Sequence, residues 1–263
     1  MNILETIIAH KKTEVERNKS AVSEETLKKY RFFPRKTLSL KDFLLDESKT
    51  GIIGEFKRRS PSKGVINESA DVLQVTSAYA DNGASALSIL TDEYFFGGNN
   101  NDILNARINQ LPILRKDFII DTYQLIEAKA IGADIILLIA ACLSPKQVRE
   151  LAIYARSLNL EVLLEIHNHE ELEHICEEVD IVGINNRNLK TFSVDINRSI
   201  ELSTDVPKDK LIIAESGISD VNTIVHLKSV GFKGFLIGEN FMKESDPAIA
   251  FASFVNQLKM VSV

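Results

Sequence analysis

Eight short apolar runs, each followed by a stretch with helical spacing, constrain this chain more than any other feature. They occupy residues 52–56, 86–90, 113–114, 135–141, 162–166, 181–184, 211–214 and 234–237 and are rich in Ile, Leu and Val. Within them apolar residues follow one another instead of alternating with polar ones. That is the pattern of strands covered on both faces, and so of a parallel sheet. The runs recur every ~20–35 residues, close to the length of a strand–helix–strand unit. Helix-start signals stand between them at Asp71, Asp121, Ser144-Pro145 and Asp220. Eight such units in succession, with no linker between them, predict a (β/α)8 barrel. The alternative is an open doubly wound sheet, but no G-x-G-x-x-G follows any run.

Ahead of the barrel, Ile3, Leu4, Ile7, Ile8 and Val15 fall on one side of a helix, with Glu5, Lys11, Lys12 and Glu16 elsewhere. A second helix is expected over 24–30, broken by Phe32-Phe33-Pro34, and Ser39 can cap a third that carries Leu40, Phe43 and Leu44. These segments hold too little apolar surface for a core of their own. Residues 1–48 are therefore expected to pack on the barrel as a helical extension, within one domain spanning 1–263.

The net charge of -6 argues against nucleic acid as the main partner, while a local basic pocket for a small anion stays open. No apolar run reaches the roughly 18 residues of a membrane span. Met1 leads directly into an amphipathic pattern unlike a signal peptide, so a cytoplasmic location is expected. Cys142 and Cys176 lie far apart, form no metal or redox motif and fit a reducing compartment.

In barrels of this kind the active site lies where the strands end, because the strand-to-helix loops gather there. The first run ends in Glu55 and Lys57, which share a strand face with Ile53 beneath them. The chain then turns through Ser60, Pro61, Ser62 and Gly64. The third run ends in Lys116, the fifth in Glu165, the sixth in Asn185 and Arg187, and the seventh in Glu215-Ser216-Gly217. The eighth runs into Gly238-Glu239. Each has an ordinary explanation alone: Arg115 and Asp117 read as surface neighbours of Lys116, and Glu165 can pair with a helix. Their convergence on one rim favours a functional reading. Gly217 and Gly238 stand where barrels bind phosphate through backbone amides, with the Glu239 carboxylate expected to point away. Phe95-Phe96-Gly97-Gly98 is a candidate lid or wall for a flat apolar substrate, with core packing as the alternative. His167 and His169 lack a third ligand at metal spacing and read as structural or surface residues.

Seven motifs in order then resemble the indole-3-glycerol-phosphate synthase family, over nearly the whole chain. They are Ile-Gly-Glu-Phe-Lys-Arg-Arg-Ser-Pro-Ser, Leu-Thr-Asp-Glu-Tyr-Phe-Phe-Gly-Gly, Leu-Arg-Lys-Asp-Phe-Ile, Leu-Leu-Glu-Ile, Gly-Ile-Asn-Asn-Arg-Asn-Leu, Ala-Glu-Ser-Gly-Ile and Leu-Ile-Gly-Glu. The chain stops after the eighth unit, as in the monofunctional form.

The resemblance implies a ring closure without cofactor or metal, acting on a small phosphorylated substrate in tryptophan biosynthesis, by a protein expected to be monomeric. It implies that Lys116 is the general acid and Glu165 the base. Lys57 is then a second amine tuned by Glu55, with either lysine able to serve each transfer. Asn185 and Arg187 orient the sugar and hold Glu165. Glu215 and Ser216 contact substrate hydroxyls, and Ser60 belongs to the same substrate-binding rim. Gly217, Gly238 and Glu239 hold phosphate, while Phe96, Phe118, Leu137 and Leu189 line an aromatic pocket. Glu239 departs from members that carry a small hydroxyl residue there. A related phosphate-binding barrel, phosphoribosylanthranilate isomerase, is a poorer match, because its Cys near the end of the first strand is replaced by Glu55 or Lys57. A phosphometabolite sensor would have no need of Lys116 and Glu165.

Overall fold

A computed structural model describes residues 3–188 and 193–261. The strands are β1 (Ile52–Phe56), β2 (Ala86–Leu90), β3 (Ile113–Lys116), β4 (Ile135–Ile139), β5 (Glu161–Ile166), β6 (Ile181–Asn185), β7 (Leu211–Glu215) and β8 (Gly234–Ile237). All pair in parallel, and β8 closes on β1 through Ile52–Phe235 and Ile53–Leu236 to give an eight-stranded barrel. Helices follow the strands on the outside, and Asp71, Asp121, Ser144 and Asp220 each cap one, as expected from sequence.

Two strand boundaries differ from the sequence reading by more than one residue. β3 runs on to Lys116 because its backbone still pairs with Leu90. β4 stops at Ile139, and Ala140–Cys142 forms a 3-10 turn where the chain bends toward the next helix.

Residue parity decides what each side chain meets, since neighbours on a strand face opposite ways. Ile53, Leu114, Leu137, Leu163, Ile181, Ile213 and Leu236 pack together inside the barrel. Ile52, Phe56, Leu87, Ile113, Val162, Val182 and Phe235 pack outward in the larger core against the helices. Gly54 faces outward as well, and a Cβ built there would lie 2.4 Å from Cδ2 of Tyr79. Tyr79 is fully buried against Phe251, with ring centroids 4.5 Å apart, so it has nowhere to retreat. Gly54→Ala is expected to lower stability by about 1–3 kcal/mol through overpacking, read as a lower urea midpoint with unchanged slope.

The N-terminal segment forms α1 (Ile3–Ala21), α2 (Glu24–Leu27) and α3 (Leu40–Leu45). The second helix is shorter than the expected 24–30, because after Leu27 the chain continues in turns. α1 is fastened to the helix Thr122–Ile131 by Lys19–Asp121 at 2.8 Å and by the Tyr123 hydroxyl, which donates to the carbonyls of Asn18 and Val22. α3 sends Leu40 and Leu44 into the barrel's interior cluster, and Glu161 at the start of β5 accepts the Leu40 amide at 2.7 Å. Lys11, expected off the apolar side of α1, is instead fully buried. Its ammonium meets Glu14 at 2.8 Å and Asp92 and Asp117 at 2.9 Å each. Among the described residues no helix is long and apolar enough to cross a membrane.

Candidate active site

The inward parity that stacks Ile53, Leu114, Leu163, Ile181, Ile213 and Leu236 continues to the carboxyl end of the strands. It delivers Glu55, Lys116, Glu165, Asn185 and Glu215 to the carboxyl end of the barrel. They line one cavity of about 410 Å³, together with Lys57, Ser60, Phe96, Phe118, Leu137, Arg187, Ser216, Gly217, Gly238 and Glu239. Leu189 lies outside the described residues.

Lys116 is the hub of this cavity. Its ammonium donates to Glu165 Oε2 at 2.7 Å and lies 3.2 Å from Glu215 Oε2. Burial alone disfavours a charged amine, but Glu165, Glu215 and Glu55 outweigh it and hold Lys116 above the ordinary lysine range. Glu165 also accepts from Asn185 Nδ2 at 3.0 Å. Burial would raise its pKa, yet Lys116 and then His167 outweigh burial and keep Glu165 well below the usual carboxylate range. Glu215 moves the other way. Burial and the Glu165 charge push it up to about 7, and Lys116 offsets only part of this. Among the described residues the buried Glu215 Oε1 has no hydrogen-bond partner.

Lys57, just past the end of β1, donates to Glu55 at 2.7 Å, the same-face pairing expected of residues two apart along an extended chain. Ser60 belongs to a small antiparallel hairpin, Arg59–Ser60 with Gly64–Val65, that follows β1. After β7 the backbone takes left-handed values at both Ser216 (φ 67°) and Gly217 (φ 72°). That conformation is rare for a residue with a side chain. The Ser216 carbonyl is fixed by Asn186 Nδ2 at 2.7 Å. After β8, Gly238 leaves room for Glu55: a Cβ there would lie 2.7 Å from Glu55 Oε1. The chain then enters the short helix Glu239–Met242.

Several expectations need correction. Arg115 and Asp117 are not surface neighbours of Lys116, because their parity turns them outward and into the protein. Arg115 meets Glu127 at 2.6 Å and Asp117 at 3.2 Å. Burial would raise the Asp117 pKa, but Lys11 and Arg115 bring it down to about 2. The Glu239 carboxylate does not turn from the cavity; it bridges Arg187 at 3.3 Å and Lys63 at 3.5 Å, which neutralises it. Of the aromatic pair, Phe96 faces the cavity with its ring 6.0 Å from Phe118. Phe95 packs against His10 at 5.6 Å instead. Of the two histidines read as structural or surface residues, His167 is buried with its Nε2 3.1 Å from Glu165 Oε1, and His169 is exposed beside Asp205. The spacing that pairs Glu55 with Lys57 also joins Glu165 to His167, so the signal was present in the sequence. Ile3, Leu4 and Ile7 of α1 also line the cavity, which helical periodicity alone does not disclose.

A family model described as Indole-3-glycerol phosphate synthase matches residues 4–254. The chain belongs to the indole-3-glycerol phosphate synthase family. A relative of that name from Bacteroides thetaiotaomicron is 49% identical over 259 residues, covering 98% of this chain and 99% of its own. One from Aliarcobacter butzleri is 44% identical over 262 residues, covering 97% and 99%. Among solved structures, a mutant tryptophan synthase alpha-subunit from Pyrococcus furiosus superposes with a TM-score of 0.61 at 16% identity, over 81% of this chain and 99% of that one. This last likeness concerns the fold alone. The family match spans both the N-terminal helices and the barrel, so α1 and α3 belong to the shared architecture.

Proposed function

We propose that this chain is a carboxy-lyase that converts 1-(2-carboxyphenylamino)-1-deoxyribulose 5-phosphate to indole-3-glycerol phosphate, carbon dioxide and water, a step of tryptophan biosynthesis. The observation that carries the mechanism is the Lys116 ammonium held at 2.7 Å from Glu165 and 3.2 Å from Glu215 inside the cavity. When the ring carbon attacks the ketone, a C–C bond forms and Lys116 gives its proton to the developing alkoxide. The carboxylate leaves as carbon dioxide, and its bonding electrons restore the aromatic ring. Dehydration follows: Glu165 takes the proton from the carbon next to the departing hydroxyl, and Lys57 protonates that hydroxyl so that it leaves as water.

The proton now on Glu165 can return directly to the neutral Lys116 beside it, and this resets both groups. Lys57 recovers its proton from solvent, so each turnover takes up one proton.

Glu215 and Ser216 suit contacts to the sugar hydroxyls, and the unpartnered Glu215 oxygen is the acceptor for one of them. Phe96, Phe118 and Leu137 give the anthranilate ring an apolar wall. The amides of Gly217, Gly238 and Glu239, with Lys57 and Arg187, receive the phosphate; Arg187 neutralises Glu239 in the meantime. The reading takes the enzyme as a cytoplasmic monomer without a nucleic-acid partner, supported by the net charge of -6 and the free thiols of Cys142 and Cys176.

Protein dialysed against chelator and mixed with the carboxyphenylamino substrate is expected to give rising indole fluorescence, with matching proton uptake in weak buffer. Absence of fluorescence between about pH 6 and 9 sinks the reading.

A further inference from the structure

The base has a neighbour that the reaction scheme leaves unused. His167 lies two residues beyond Glu165 and projects from the same face of the chain. Its Nε2 is 3.1 Å from Glu165 Oε1, and its Nδ1 is 3.2 Å from Glu171 Oε2. Glu171 is itself fixed, accepting the His167 amide at 2.6 Å and the Asn168 side chain at 3.0 Å. The Nε2 contact has ion-pair distance without hydrogen-bond alignment, and with a carboxylate beside each nitrogen the ring is favoured as the cation, both nitrogens protonated. A neutral tautomer would point a lone pair at one of the acids. His167 does not line the cavity, so it acts on substrate only through Glu165.

Other polar groups face this cluster from neighbouring elements. Lys116 arrives from β3 and Asn185 from β6, both on Glu165, and Glu215 of β7 reaches Glu165 through Lys116. Cys142, on the turn after β4, stays a neutral thiol because burial and the charges of Glu165 and Glu171 push it up to about 12. His174 donates to or accepts from backbone only, at Glu171 and Leu143.

Resting on the reaction proposed above, we propose that His167 is a positioning residue for the base: its imidazolium, clamped between Glu165 and Glu171, keeps the Glu165 carboxylate ionised and aimed after Lys116 has given up its proton. At that moment the cation shared by Glu165 and Glu215 is gone. Two buried carboxylates would then face each other, and the better-placed one would be driven to take a proton early. The His167 charge, on the far oxygen of Glu165, does not leave with the substrate's proton. Burial lowers the ring's proton affinity, but its contacts with Glu165 and Glu171 raise it to about 9, so the ring is a cation at neutral pH.

Two variants test this. His167→Gln keeps a donor near Glu165 without the charge, and Glu171→Gln keeps His167 while weakening its hold on the second proton. In His167→Gln the acid limb of kcat/KM is expected to move up by about one unit and kcat to fall roughly tenfold, with KM nearly constant. Glu171→Gln should shift the limb the same way by less. In the wild type without substrate, one histidine ring resonance, lost in His167→Gln, should titrate near 9. A wild type that turns over while neither variant moves its acid limb overturns the proposal, whatever happens to the melting temperature. A His167 resonance that titrates at or below about 6.5 overturns it independently of turnover. A wild type that gives no product counts against the enzymatic reading instead.

Discussion

Lys116→Ala is expected to lower kcat by at least about 10²–10⁴-fold, the usual worth of a positioned acid, while substrate still binds. Two losses combine in this variant. The first is the proton delivered to the ketone oxygen. The second follows from the 2.7 Å and 3.2 Å contacts to Glu165 and Glu215. Without the ammonium these buried acids share a site with no cation between them, and one of them takes up a proton. If that one is Glu165, the base is lost with the acid, and the loss reaches about 10⁴-fold or beyond.

Binding should persist in Lys116→Ala because the aromatic wall of Phe96 and Phe118 and the loops after β7 and β8 do not depend on Lys116. Single-turnover fluorescence gives the rate, and titration calorimetry with substrate gives the affinity. An unaltered kcat would remove Lys116 from the role of acid. Loss of binding together with kcat would make it a substrate anchor instead.

The barrel was readable because its strands are apolar on both faces, a pattern little else produces, and because Asp71, Asp121, Ser144 and Asp220 cap their helices through local contacts. The inward acids and amines were readable for the same reason: parity along a strand is a local property. It put Glu55 with Lys57 and Asn185 with Arg187. Applied to Glu165, it also gives His167, although two histidines in one short stretch first suggest a metal.

What periodicity could not supply was partnership between distant segments. Lys11 looked like a solvated lysine because nothing near it in the chain reveals that Asp92 and Asp117 close over it. Asp117 looked superficial because its neighbour Lys116 faces the cavity, and the outward side of a barrel strand is buried too. Glu239 looked like a liability for phosphate because its partners, Arg187 and Lys63, come from other loops.

The Lys11 cluster carries the largest expected effect on stability. Lys11→Met keeps most of the side chain's volume but leaves Asp92 and Asp117 facing one another where both are almost without solvent contact. Breaking a buried pair by removing one partner costs about 3–5 kcal/mol, and Arg115, 3.2 Å from Asp117, offsets only part of the lost cation. The loss should appear as a lower urea midpoint.

Its pH dependence identifies the cause. In the wild type Asp117 is held down to about 2, against an unfolded value near 3.9. Its contribution is therefore fully present above the unfolded value and is lost as pH falls toward 2. In Lys11→Met the folded value rises, so the gap between variant and wild type is expected to narrow as the solution is acidified. A gap that stays constant with pH would point to packing and not charge. The same contacts reach the site: Asp92 caps the short helix bearing Phe96, and α1 supplies Ile3, Leu4 and Ile7 to the cavity wall. Loosening them should raise KM more than it lowers kcat, since the variant leaves Lys116 and Glu165 in place and disturbs only the wall that receives the aromatic ring.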